Sequence, residues 1–180
     1  MSSRRSLILG TAALLGGCGF QPVYGPIGER RTDDLTGLEP GLLDAMASVR
    51  VGLIGERNGQ LLRRELQRQF QYRGPGSQAR YDLAVSYNTA SEILGYRRDG
   101  TITRVRYVTT VNWILATAAI PPEVVDRGSA RTLDAFNIPD LQFFAADASR
   151  EDMERRLLAE LSHRVVLGVS VALRRRLASA

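Results

Sequence analysis

Val105, Tyr107, Thr109, Val111, Trp113 and Leu115 occupy every second position of one run, with Arg104, Arg106, Thr110 and Asn112 among the residues between them. Apolar character repeating with a period of two belongs to an extended strand that turns one side to a core and the other to solvent. A helix would scatter the same six residues around its circumference. Tyr81, Leu83, Val85 and Tyr87 repeat the pattern upstream, alternating with Asp82, Ala84, Ser86 and Asn88. Arg97-Arg98-Asp99-Gly100 lies between the two runs, and Asp-Gly between alternating segments predicts a hairpin turn. A long, half-buried hairpin is therefore the feature the rest of the chain must cover.

The covering elements are read from a different period. Leu61, Leu62, Leu66 and Phe70 recur at helical spacing among Arg63, Arg64, Glu65, Gln67 and Arg68, which predicts an amphipathic helix ended by Arg73-Gly74-Pro75-Gly76. Met153, Leu157, Leu158, Leu161, Val165, Val169 and Ala172 predict a second helix. Ser149 and Asp152 resemble a capping box at its start, and Arg174-Arg175-Arg176 sits at its end, where the helix dipole favours cations. Val49, Val51 and Leu53 predict a short first strand, closed by Gly55 to Gly59, and the segment from Ser129 to Ile138 predicts a last one, after Pro121-Pro122 and before Pro139. The order β-α-β-β-β-α predicts an α+β two-layer sandwich, with two helices on one face of a four-stranded, mostly antiparallel sheet.

The N-terminus is built for another purpose. Arg4 and Arg5 precede a nine-residue, mostly apolar run from Leu7 to Leu15, and Gly16-Gly17 lead to Cys18, the one cysteine of the chain. This is the layout of an export signal, and the run is too short to span a bilayer as a helix, which takes ~20 residues. Sec export is expected, although Arg4-Arg5 also suits a twin-arginine signal loosely. With one cysteine and one histidine, neither an internal disulfide nor a Cys/His zinc cluster is possible. Leu15-Gly16-Gly17-Cys18 resembles the lipobox of bacterial lipoproteins, in which the cysteine sulfur receives a diacylglyceryl group. The expected organisation is a signal peptide over residues 1–17, a lipidated arm over 18–46, rich in Gly, Pro and charge after Gly25, and one domain over 47–180.

Charge narrows the partners. The formal charge is +5, and all 24 basic residues are arginine. An exported, anchored chain has little access to nucleic acid, so anionic lipid or glycolipid is the expected counterpart of the basic surface. Arginine suits phosphate through its forked donors, and a GC-rich genome produces the same bias without any function. Arg97, Arg98, Arg104 and Arg106 gather at the hairpin and are the candidate ligand-binding residues, with a solvated turn as the plain alternative. Candidate catalytic groups are poor. His163 stands alone within the long helix, and Glu123 and Asp126 follow the proline pair in a region read as a turn. Neither a phosphate-binding glycine loop nor a Gly-x-Ser-x-Gly elbow occurs, so no catalytic residue, metal site or cofactor is assigned.

Cys18-Gly19-Phe20-Gln21-Pro22-Val23-Tyr24-Gly25 resembles the mature N-terminus of the lipopolysaccharide-assembly lipoproteins of the LptE family in their alphaproteobacterial form, and Gly59 to Leu66 resembles the start of that family's first helix. The resemblance implies the same element order and a non-enzymatic outer-membrane lipoprotein. It further implies a plug within the β-barrel LptD, which it helps to assemble, and contact with lipopolysaccharide. An auxiliary lipoprotein of another envelope lipid-transport system would share the anchor and the basic surface, and a periplasmic enzyme would need a pocket of convergent polar groups.

Overall fold

A computed structural model describes residues 40–71, 78–140 and 142–179, so Cys18, the signal peptide and most of the arm lie outside the described residues. The described chain runs α1 (Pro40–Ala47), β1 (Val49–Val51), α2 (Arg57–Phe70), β2 (Tyr81–Tyr96), β3 (Ile102–Thr117), β4 (Val124–Asn137) and α3 (Phe143–Ala178). The sheet has the order β1-β2-β3-β4. β1 and β2 are parallel, joined by the α2 crossover, while β2–β3 and β3–β4 are antiparallel hairpins. The architecture is the expected α+β sandwich with a mixed sheet and one additional helix.

That helix is α1, within the segment read as an arm. Leu42 and Ala45 are fully buried and Met46 nearly so, an apolar stripe at helical spacing. Eight residues are too few for the periodicity to stand out from the Gly- and Pro-rich stretch before them. Ser48 joins α1 to the sheet: its hydroxyl donates to the Ala45 carbonyl at 2.8 Å and accepts from Arg80 Nε at 3.1 Å.

The alternating runs take the faces their period assigns. Leu83, Thr109, Val111, Trp113 and Leu115 are buried beneath the helices, and the hydroxyls of Thr89 and Thr109 bond each other at 2.9 Å across the hairpin. Asn112 and Ile114 face outward and are exposed. Val108, also on the outward side, is buried between its cross-strand neighbours Ala90 and Leu133. In α2, Leu62, Leu66 and Phe70 are buried as expected, but Leu61 is 36% exposed because it falls on the flank of the stripe. α2 also starts at Arg57, inside the segment read as a break, and a Cβ at Gly59 would come within 2.6 Å of Ile54 Cγ2. The glycine is a close approach between loop and helix rather than a helix breaker.

β4 and α3 both start earlier than the sequence predicts. β4 begins at Val124, five residues before Ser129, because Gly128 is part of the strand. It faces Trp113, and a Cβ on Gly128 would meet Trp113 Cζ2 at 2.5 Å, while one on Gly168 of α3 would meet the same atom at 2.8 Å. The indole is seated between two glycines, one from each layer. α3 begins at Phe143, so Ser149 lies within the helix and does not cap it, and Gln142 at the N-cap supplies no side-chain bond. The 36 residues of α3 give a length of about 54 Å. Its buried residues begin only at Met153, so the signals near Ser149 mark the start of packing and not of the helix.

Candidate functional site

The β2–β3 hairpin ends in a tight turn. Arg97 N–H donates to the Thr101 carbonyl at 2.8 Å, Gly100 N–H donates to the Arg97 carbonyl at 3.0 Å, and Gly100 has φ of 85°, a conformation glycine adopts without strain. Asp99 Oδ1 accepts from the Thr101 N–H at 3.0 Å. This bond holds the Asp99 carboxyl below its ordinary value, with the nearby Arg97 adding to the effect. A carboxyl lowered on folding stabilises the turn at and above neutral pH and loses that contribution as pH falls through its folded value. Acidification below about pH 4 is therefore expected to shift the Thr101 amide resonance, and Asp99→Ala should remove that transition.

The four candidate arginines are brought to one end of the sheet but do not share one environment. Arg97 is drawn against the body: Nη2 donates to the Ile138 carbonyl at 3.2 Å and Nη1 is 3.8 Å from Asp140 Oδ1. Arg106 pairs with Glu92 across the hairpin at 3.3 Å. Arg98 and Arg104 are exposed and meet no carboxylate among the described residues. Arg104 and Arg106 point to the helix-free face, opposite Asn137 and Ala135 of β4.

β4 extends this basic surface in a way the sequence reading misses. Arg127 and Arg131 are exposed on the same outward face, opposite Ile114 and Thr110. The acids of β4 point the other way, toward α3: Asp134 pairs with Arg156 at 2.8 Å and Asp126 with Arg175 at 3.8 Å. Just before the strand, Glu123 takes two bonds from Arg176, at 3.0 and 2.8 Å, which hold its carboxyl below the ordinary range. Glu123 and Asp126, named above among the poor catalytic candidates, thus serve as ties between sheet and helix. His163 is exposed on α3. The signal for the extended surface was the alternation of Asp126, Arg127, Arg131 and Asp134, legible only once Gly128 is placed inside the strand. No helix of the described residues is long and apolar enough to cross a membrane.

Solved structures share this arrangement and define its class as a small two-layer α+β domain. A candidate lipoprotein from Caulobacter crescentus CB15 superposes with a TM-score of 0.59 at 26% identity, over 74% of this chain and 96% of that one. Rare lipoprotein B from Shewanella oneidensis (TM-score 0.51, 11% identity, 72% and 98% coverage) and a minor lipoprotein from Acinetobacter baumannii (0.52, 13%, 68% and 88%) share the fold. No curated protein matches the chain. Residues 46–167 match the family LptE, lipopolysaccharide-assembly, and the chain belongs to that family. Its role is therefore in lipopolysaccharide assembly.

Proposed function

We propose that the protein is an outer-membrane lipoprotein, anchored through Cys18, that plugs the lipopolysaccharide-transport barrel LptD and helps it assemble, with its domain facing the periplasm or lying in the barrel lumen. The observation that carries this reading is the uncovered basic end of the sheet, in a chain that belongs to a lipopolysaccharide-assembly family. Barrel interiors are polar, and an outward face bearing Arg104, Arg106, Arg127 and Arg131 against Glu92 suits both a polar wall and an anionic glycolipid. Arg97, Arg98, Arg104 and Arg106 are proposed as the contact set. Arg98 and Arg104 are the freest to form forked bonds to phosphate or carboxylate.

An Arg98→Ala/Arg104→Ala variant should bind lipopolysaccharide more weakly, or recover less barrel from solubilised envelopes, at unchanged melting temperature. Loss of glycolipid binding alone assigns the tip to the ligand, and loss of co-purification alone assigns it to the barrel. No change in either rejects the tip as a contact. Anchoring is tested separately. The lipobox-like Leu15-Gly16-Gly17-Cys18 supports acylation at Cys18, so Cys18→Ala should abolish acyl labelling and block processing. Persistent labelling would move the anchor elsewhere. Stable membrane attachment is expected only with more than one acyl chain, since one binds marginally.

A further inference from the structure

The two edges of the sheet are treated differently. On β4 three of the backbone groups that point away from β3 are occupied: the N–H of Arg127 donates to Asp126 Oδ1 at 2.8 Å, the N–H of Ala135 donates to Asp134 Oδ1 at 2.7 Å, and the carbonyl of Arg131 accepts from Arg164 Nη1 at 3.2 Å. On β2, the short β1 covers only the first residues, and its last bond runs from the Gly52 N–H to the Leu83 carbonyl at 2.9 Å. The β2–β3 register is unshifted from Tyr81 to Ile93, so the backbone groups of Val85, Tyr87, Thr89, Ser91 and Ile93 point outward like those of Leu83. Among the described residues, nothing bonds them. This stretch also lacks the guards that usually blunt an edge, having neither proline nor a basic residue between Tyr81 and Tyr96.

We propose that this open edge pairs with the same edge of a second copy of the chain, antiparallel and about a twofold axis through Thr89. The open window runs from Val85, the first outward-pointing residue beyond β1's cover at Leu83, to Ile93 before the bulge, and Thr89 is its midpoint. In that register Val85 meets Ile93 and Tyr87 meets Ser91 on the helix side, while Ser86 meets Glu92 and Asn88 meets Ala90 on the other. Apolar residues face each other and no like charges are opposed, whereas a register that places Glu92 opposite itself would set two carboxylates together. Ile93, 46% exposed, is carried toward the partner's β1 end, where Leu53 is 85% exposed just beyond the strand. Such pairing is isologous and closes at two subunits. A nine-residue ladder is a small interface, so the association is weak and depends on concentration.

The test is sedimentation velocity on the full chain carrying Cys18→Ser, over about a hundredfold range of concentration. The mean mass is expected to rise from one chain toward two. Ser91→Pro removes only an amide that points away from β3, so it should leave the melting temperature unchanged and weaken association by at least about tenfold. Ser129→Pro, on the opposite edge, should not affect association. Register is read by oxidation: Thr89→Cys should cross-link, since hydrogen-bonded antiparallel pairs lie about 5.5 Å apart, and Asn88→Cys should not. A mass of one chain at every concentration overturns the proposal and leaves the edge to another strand, from this chain or a different protein. Undiminished association of Ser91→Pro overturns it equally.

Discussion

Val111→Asp is expected to cost about 3–5 kcal/mol, enough to unfold much of the population of a domain whose total stability is of order 5–15 kcal/mol. Val111 has no exposed surface and belongs to the core formed by the sheet and helices. A carboxylate there either remains charged without a partner or takes up a proton, and both alternatives disfavour the fold. Asn112→Asp, one position along, introduces the same group on the exposed side and should stay within about 0.5 kcal/mol. Denaturant melts of the two variants read the register directly, because a slip of one residue would exchange their costs.

Gly128→Ala should cost about 1–3 kcal/mol, although alanine restricts the unfolded chain and would ordinarily help. The new methyl would stand 2.5 Å from a rigid indole that Gly168 confines from the helix side, so the ring has little room to retreat. Gly168→Ala should also destabilise, despite a gain in helix propensity of about 1 kcal/mol. Trp113→Leu is the diagnostic partner. Made together with Gly128→Ala, it should cost clearly less than the sum of the two changes, since the smaller side chain vacates the contested space. Additive costs in thermal melts would mean that the glycine is required for another reason.

The parts of the fold legible in the sequence are those whose apolar period runs long enough to be counted. The faces of β2 and β3 follow from four- and six-member alternations, respectively, and the Asp99-Gly100 turn follows from its own backbone preference. α1 escaped because three buried residues in eight establish no period. The start of β4 escaped because Gly128 has no side chain to carry an alternation, and its place in the strand, as a seat for Trp113, is a contact between residues far apart in sequence. The candidate site was legible to a similar degree. Clustering of Arg97, Arg98, Arg104 and Arg106 was visible, but the diversion of Arg97 to Ile138 and Asp140, and the addition of Arg127 and Arg131, depend on strand pairing.

The leading turns of α3 have a consequence for motion. Residues 143–152 include no buried side chain, begin without a side-chain cap or an acid in the first turn, and expose Phe143 and Phe144. Their helical state rests on their own hydrogen bonds and a few surface ion pairs. Unwinding them is accordingly a sub-global event, far cheaper than opening the core and invisible to a melt of the whole domain. Each residue released from helix to extended chain lengthens the connection by about 2 Å, from ~1.5 to ~3.4 Å. Unwinding would therefore let the link between β4 and the anchored part of α3 lengthen beside the hairpin tip while Met153 and the helix beyond it keep their places.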